Sequence, residues 1–240
     1  MTADDRPIAL DAYEQLADRY AARIDTKPHN AYYERPAILS LLPDVDGLCV
    51  FDAGCGSGFY AQWMLDRGAE VTGVDASPAM LRNAQERTGG RADLRLFDLR
   101  RPLDFLADVS FDLVFGSMVV HYIEDWTVPF AEFHRILRPG GLFIFSTGHP
   151  FMEARLFDDA QYFRTEPRSW PWRGFGGEPV VMPFYRRPLS ATTEALWRAG
   201  FVIERLVEPL PTDDFRAADP EDYEKLMNFP SFMCLRTRRA

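Results

Sequence analysis

The sequence predicts an α/β fold: a mostly parallel sheet with helices on both faces. Three observations carry this expectation. Short apolar runs alternate with stretches of helical spacing from about residue 48 to residue 146, the signature of strand–helix–strand crossovers. Residues Val50 to Gly58 read V-F-D-A-G-C-G-S-G, an apolar strand running into three alternate glycines. Residues Gly73 to Met80 read G-V-D-A-S-P-A-M, a second apolar strand that ends on an acid. Strand ends of such sheets are where ligands bind.

Residues 8–23 carry Ile8, Leu10, Tyr13, Leu16, Ala17 and Tyr20 at roughly helical spacing. A second apolar stripe runs from Tyr32 to Leu42, where Pro43 stops it. Leu48–Phe51 is strand one, and Phe59–Arg67 is a helix that Gly68 ends. Glu70–Val74 is strand two. Ser77 caps the next helix, with Pro78 in its first turn, where a missing N–H costs nothing. That helix runs to about Arg87. Ala92–Phe97 and Phe111–Phe115 are strands three and four. Thr127–Leu137 is a helix ended by the turn signal Arg138-Pro139-Gly140-Gly141, and Leu142–Ser146 is strand five. The alternation then breaks. Residues 150–188 show no clean period and hold many aromatics, Trp170, Trp172, Phe175 and Phe184 among them. They read as an insertion or lid. Thr192–Ala199 is a helix, Phe201–Val207 a strand, Pro209–Pro220 a loop, Glu221–Met227 a short helix and Ser231–Thr237 a final strand.

The bulk properties exclude some roles. A chain of 240 residues accommodates one large α/β domain. A formal charge of -9 argues against a nucleic-acid partner, since phosphate backbones need a basic footprint. The three cysteines, Cys49, Cys55 and Cys234, have no Cys-x-x-Cys spacing, which speaks against a metal site and a disulfide scaffold. No apolar run approaches the length of a membrane span, and the acidic, polar N-terminus does not read as a signal peptide. The cytoplasm is the expected location.

Gly54, Gly56 and Gly58 form a loop that lets the backbone approach a ligand, and the helix opening at Phe59 adds N–H groups. The spacing separates two kinds of nucleoside cofactor. The dinucleotide fingerprint G-x-G-x-x-G, read from Gly54, would need its last glycine at position 59, which is Phe59. The form present is G-x-G-x-G, with Asp52 two residues ahead. An acid beside the loop repels a pyrophosphate and suits a cationic amino group. S-adenosylmethionine offers an ammonium and a sulfonium.

The set Asp52-Ala53-Gly54-Cys55-Gly56-Ser57-Gly58, Val74-Asp75-Ala76-Ser77-Pro78-Ala79-Met80, Phe97-Asp98-Leu99, Phe111-Asp112-Leu113-Val114 and Leu137-Arg138-Pro139-Gly140-Gly141 resembles class I S-adenosylmethionine-dependent methyltransferases. Within that class it is similar to the small-molecule UbiE-like group (methyltransferase type 11). The resemblance covers about residues 45 to 147. It implies a Rossmann-like three-layer sandwich whose seven-stranded, mostly parallel sheet has its last strand antiparallel. It also implies one methyltransferase domain over 1–240, with an N-terminal helical cover at about 8–43 and the aromatic insertion at about 150–188.

By this resemblance Asp52 and the backbone of Gly54, Cys55, Gly56 and Gly58 hold the methionine moiety. Asp75 accepts hydrogen bonds from both ribose hydroxyls, for which a carboxylate has enough acceptor sites. Ala76 and Met80 flank the adenine, Asp98 receives its amino group, Leu99 adds a contact, and Ser117 stands beside the cofactor. Tyr20 belongs to an aromatic group with Tyr13, Tyr32 and Tyr33 that folds over the cofactor in similar enzymes; packing is the alternative reading for these rings. His121 and His149 each follow a strand at the expected catalytic edge. An imidazole suits general-base work near neutral pH, and a purely structural role stands beside that one. Arg187 is a candidate for meeting an anionic substrate or an ordinary surface arginine. Cys55 reads as a small packing residue rather than a nucleophile.

The expected reaction is methyl transfer by in-line displacement to a small, apolar or aromatic acceptor. The aromatic segment offers contact area with few lost rotamers, or a cage for an amine. A homodimer interface is the competing use of the same residues. An RNA or protein methyltransferase, a non-catalytic cofactor-binding protein and an NAD-dependent oxidoreductase are the alternative functions. The stretch Gly116-Ser117-Met118-Val119 lacks the N-P-P-Y type of signature linked with amide or base amines.

Overall fold

The computed structural model describes residues 6–157 and 161–240. Residues 158–160 of the expected insertion lie outside the described residues. Among the described residues nine strands follow one another, interspersed with helices: β1 (Cys49–Ala53), β2 (Glu70–Asp75), β3 (Asp93–Leu96), β4 (Phe111–Gly116), β5 (Leu137–Gly148), β6 (Glu166–Trp172), β7 (Val180–Arg186), β8 (Phe201–Val207) and β9 (Phe232–Arg239). Seven of them form one sheet in the order β3-β2-β1-β4-β5-β9-β8. β1 to β5 pair in parallel, and β9 runs antiparallel to both β5 and β8. Chain order reverses between β1 and β4, so the C-terminal ends of β1, β2 and β4 open onto a crevice at the switch point.

Strand periodicity sends alternate residues to opposite faces. In β1, Val50 packs into a cluster with Ile38, Ala61, Met64 and Ile144, while Phe51 and Ala53 enter the cluster of Phe130, Phe133 and Phe143. The first cluster is covered by α2 (Arg35–Leu39) and α3 (Phe59–Leu65), the second by α5 (Thr127–Ile136) and α7 (Leu189–Arg198). α4 (Pro78–Thr88) begins as the sequence indicates: Ser77 Oγ accepts from the Met80 N–H at 3.1 Å, and Pro78 fills the first turn.

The cluster under α5 is rich in aromatic rings. The Phe130 ring lies 4.9 Å from Trp126, 5.2 Å from Phe143 and 6.0 Å from Phe145.

The observed elements differ from expectation in four places. The Arg138–Gly141 turn signal lies inside β5, not before it. Phe111 pairs with Leu137 and Leu113 with Leu142, so the extra residues form an irregularity in the ladder. The stripe from Tyr32 to Leu42 opens with a π-helix, Asn30–Glu34, before α2. The segment that lacked a period forms α6 (Pro150–Arg155) and an antiparallel hairpin, β6–β7. Its period was masked because Pro167, Pro171 and Pro183 interrupt strand propensity in a hairpin whose ladder is not shared with the main sheet. The loop at 209–220 contains α8 (Asp213–Ala218), capped by Thr212, and α9 (Pro220–Asn228) follows.

α1 (Leu10–Arg23) packs on α4 and on β7. Glu14 ties it down by accepting from the Ala79 N–H at 3.0 Å and from the Ser77 hydroxyl. The hairpin tip is latched to the same helix. Arg19 donates to the carbonyls of Gly176 and Glu178, and the Tyr20 and Phe175 rings lie 4.6 Å apart. Lys27 Nζ sits 5.0 Å from the Trp172 ring and 5.1 Å from that of Phe175.

Truncating Phe130, which is fully buried, tests this core. Phe130→Ala is expected to cost about 3–5 kcal/mol in urea denaturation, the range for emptying a large aromatic site. A loss below about 1 kcal/mol would show that the ring is not packed as described.

Candidate functional site

A cavity of about 760 Å³ opens at the switch point, within the roughly 300–1,000 Å³ of small-molecule sites. One wall comes from the strand ends: Gly54 and Gly56 after β1, Asp75 at the end of β2 and Ala76 after it, Asp98 and Leu99 after β3, Ser117 and Met118 after β4. The opposite wall comes from the cover and hairpin: Tyr13, Tyr20, Trp170, Trp172, Met182 and Phe184. His121, Tyr122, Gly148 and Glu153 close the inner end.

The glycine loop is shaped by close approaches. A Cβ on Gly54 would stand 2.3 Å from Val119 Cγ2, and one on Gly58 would stand 2.9 Å from the Ala84 Cα. Both residues also hold positive φ, 77° and 80°. Gly56 differs, because a Cβ there would meet nothing within 4 Å. Its N–H donates to Asp75 Oδ2 at 2.9 Å, and the Ser77 N–H donates to Oδ1 at 2.9 Å. Asp75 is thereby fixed at the cavity wall. Loss of water raises its carboxyl above the ordinary range, against the pull of these N–H groups.

Asp52 lies behind the loop, 2% exposed, and its Oδ2 has no partner. Burial first, and then the neighbouring Asp75 charge, push its carboxyl up to about 7. Asp98 is held by Arg100, which donates to both carboxylate oxygens at 3.1, 3.0 and 2.7 Å. That arrangement fixes the carboxylate while leaving lone pairs for another donor.

Most sequence-predicted residues meet at this cavity. Tyr20, Gly54, Gly56, Asp75, Ala76, Met80, Asp98, Leu99, Ser117 and His121 all line it. Asp52, Cys55, Gly58 and His149 stand outside the lining. Cys55 is buried, and its thiol is pushed well up by burial. It packs with Leu81 and Ala84.

His149 corrects an expectation. It is the N-cap of α6: Nδ1 accepts from the Phe151 N–H at 3.3 Å, and Nε2 meets Glu208 Oε1 at 2.8 Å. Both ring nitrogens are engaged in holding the loop after β5, so the ring has no atom free for a base role. His121 does line the cavity, and its Nδ1 has no partner. Its surroundings run against the expected titration near neutral pH. Burial first, and then the Arg187 charge, lower it to about 3, because an apolar enclosure disfavours the imidazolium. Arg187 is not a surface group either. It is buried, stacks 3.6 Å above Trp126 and donates to the carbonyls of Ile123 and Glu124.

The sequence reading missed Glu34 and Glu153. Glu34, 1% exposed at the end of the π-helix, accepts from Tyr60 at 2.6 Å, Ser146 at 2.6 Å and Ser117 at 2.9 Å. It joins the ends of β4 and β5 to the cover and orients Ser117 at the cavity wall. Its only signal was a lone acid within an apolar stripe. Met118 holds positive φ, 51°, and its N–H donates to Ser146. Such strain concentrates at functional sites.

The site suits a cationic nucleoside. It offers the Asp75 carboxylate fixed at the wall, the Asp52 carboxyl buried behind the glycine loop, and open space over Gly56. A pyrophosphate would meet two acids.

The comparisons decide the family. The family described as "Methyltransferase domain" matches residues 51–145. A solved S-adenosylmethionine dependent methyltransferase from Mesorhizobium loti is 31% identical, with 90% of this chain and 100% of that chain covered and a TM-score of 0.69. The chain belongs to the S-adenosylmethionine-dependent methyltransferases. An uncharacterized protein of Haemophilus influenzae is 28% identical over 88% of this methyltransferase and 89% of its own length. A malonyl-[acyl-carrier protein] O-methyltransferase of Hamiltonella defensa is 37% identical over 110 residues, 46% of this chain and 42% of the relative. The methyltransferase thus spans less than half the length of that relative.

The His121 environment yields a direct expectation. Ring-proton NMR should show no titration of His121 between pH 5 and pH 8, since its neutral form persists down to about 3. A midpoint near 6.5 would contradict the enclosed, uncharged imidazole.

Proposed function

We propose that this methyltransferase transfers a methyl group from S-adenosylmethionine to a small, mostly apolar or planar acceptor held under the β6–β7 hairpin. The observation that carries the reading is the continuity of one cavity from an acidic end at the glycine loop to an aromatic end at Trp170, Trp172 and Phe184. When bound, the cofactor supplies an electrophilic methyl group on a sulfonium.

The residues divide the remaining work. Asp75, already braced by two backbone N–H groups, would take the ribose hydroxyls on its remaining lone pairs. Ala76, Met80 and Leu99 would flank the adenine, and Asp98 would accept from its amino group. Ser117, oriented by Glu34, would stand with Gly54 and Gly56 at the methionine end. Asp52 would act from behind the loop through its charge, and Cys55 and Gly58 would shape the loop by packing. Tyr20 and the hairpin would exclude water, which raises effective alignment of acceptor and methyl carbon. His121 would present its uncharged ring to the acceptor. The hairpin aromatics line the cavity, which supports acceptor recognition over a dimer interface. Among the described residues no helix is long and apolar enough to cross a membrane.

The name of the Hamiltonella relative raises a malonyl thioester as acceptor. Its shared stretch leaves most of that relative uncovered, so the acceptor is better sought in this chain's own inner wall.

Calorimetry should show S-adenosylmethionine and S-adenosylhomocysteine binding, with no competition by NAD. Asp75→Ala removes charge-assisted hydrogen bonds worth roughly 1.5–3 kcal/mol each, so affinity should fall at least about tenfold. Unchanged affinity in that variant would remove Asp75 from the site.

Binding should also release protons. The free carboxyl of Asp52 lies up at about 7, so near neutral pH it is partly protonated. A nearby cation favours the carboxylate, lowers its pKa and expels the proton. Heats measured at pH 7 in buffers of different ionisation enthalpy should report net release of a fraction of a proton, fading toward pH 9. Proton uptake at pH 7 would contradict the assignment.

A further inference from the structure

We propose that Glu153 takes the hydrogen of the acceptor's nucleophilic atom, so the acceptor is an amine or a hydroxyl compound such as a phenol, and not a carboxylate. This inference rests on the methyltransferase reading of the cavity and specifies the chemistry of its inner end.

Glu153 lies on α6, in the segment that follows β5. It is 6% exposed, yet it lines the cavity beside His121 and Met152. Its position depends on a glycine. A Cβ built on Gly148 would stand 1.9 Å from Glu153 Oε1. The carboxyl therefore occupies the space that any side chain at the end of β5 would fill. Gly148 lines the cavity too, which puts the carboxyl at the sheet edge where β4 and β5 end. His149 fixes the start of α6 through its cap and its Glu208 contact, and so sets where Glu153 points.

The backbone N–H of Arg187 acts on this carboxyl, and lone pairs remain on it for a ligand. Among the described residues no side-chain ion pair is made to it. Arg187 directs its guanidinium to the carbonyls of Ile123 and Glu124, and Arg186 directs its own to Glu166 and the carbonyls of Tyr162 and Arg164. Both arginines still act on Glu153 through their charge. From the 3-10 turn Val120–Tyr122, His121 faces the same space uncharged. On its own helix, Arg155 stacks on Phe229, 3.8 Å from the ring. A carboxyl in an otherwise aromatic wall is a hydrogen-bond acceptor for N–H or O–H. An acceptor carboxylate brings no hydrogen to it once both are ionised, and like charges repel.

The step balances. The lone pair of the acceptor's nitrogen or oxygen forms the new bond to the methyl carbon. The methyl–sulfur bond breaks with its electron pair left on sulfur, as a neutral thioether. The proton of the N–H or O–H passes to a Glu153 oxygen. Burial pushes the Glu153 carboxyl up to about 8, against the Arg187 and Arg186 charges. The carboxylate needed as base therefore grows in population as pH rises through about 8, and turnover rises with it.

The test compares matched probes on the full chain with S-adenosylhomocysteine present, at pH 9, where Glu153 is ionised. Benzylamine is paired with benzoate, and 4-ethylphenol with phenylacetate; binding is read from tryptophan fluorescence. The wild-type protein should prefer the amine and the phenol by at least about tenfold. Glu153→Gln, which keeps the shape, should reduce that preference at least about fivefold, and Glu153→Asp should restore part of it. S-adenosylhomocysteine affinity, measured by calorimetry in each variant, should not move. Any probe that reacts should show a rate limb near pH 8 that Glu153→Gln loses. Equal or better binding of the carboxylates, no detectable probe binding, or a limb that persists in Glu153→Gln would each overturn the proposal. Failure of the wild-type protein to bind S-adenosylhomocysteine would instead sink the methyltransferase reading of the cavity.

Discussion

Two carboxylates, Asp52 and Asp75, stand at the ends of adjacent strands with no ion-pair partner among the described residues. Burial away from water raises both carboxyls; the Asp75 charge adds to the rise at Asp52, and the Glu14 charge to that at Asp75. The loop around them is organised to hold that arrangement. The Gly56 and Ser77 N–H groups brace Asp75, while Val119 and Ala84 leave room for no side chain at positions 54 and 58. A fold that keeps one carboxylate at the cavity wall and another buried behind it, neither in an ion pair among the described residues, is set up to gain from a cation placed there. A cofactor carrying an ammonium and a sulfonium supplies one, and a pyrophosphate does not.

Enclosure follows from the parts outside the sheet. α1 is pinned to α4 by Glu14, and the β6–β7 hairpin is pinned to α1 by Arg19 and by the Tyr20–Phe175 contact. Lys27 completes the latch over Trp172 and Phe175, and burial lowers its ammonium to about 8. Cover and hairpin thus form one roof over the strand ends. Aromatic side chains suit this task because they cover area with few rotamers to lose. Inside that roof, polar groups such as His121, Glu153 and Ser117 mark where specificity can be exerted.

The sheet was legible because its signals are local. The periodicity of β1, β2 and β4, the Ser77–Pro78 start of α4 and the glycine spacing each depend on a few neighbouring residues. The resemblance supplied the seven-strand count and the antiparallel last strand, which periodicity alone does not carry. The hairpin was illegible because its prolines suppress the strand pattern and its partner is itself. Site residues divide along the same line. Asp75 ends a strand and Asp98 and Ser117 follow strands; the resemblance pointed to all three, and all three line the cavity. His149 also follows a strand, but its contact with Glu208 is made 59 residues away in sequence, and no local pattern announces that. Glu153 was hidden for a similar reason: its placement depends on the space left by Gly148. The depressed pKa of His121 is a property of its enclosure, not of its residue type.

The central claim is that one cavity, floored by the glycine loop and roofed by α1 and the hairpin, receives the cofactor. Amide hydrogen exchange with and without S-adenosylhomocysteine tests it most directly. Protection is expected at residues 54–58, at 75–80 and at 97–100. It is expected also in α1 and at the hairpin tip, because the roof closes on the same ligand. Protection confined to other parts of the chain, or none under saturating ligand, would contradict the account.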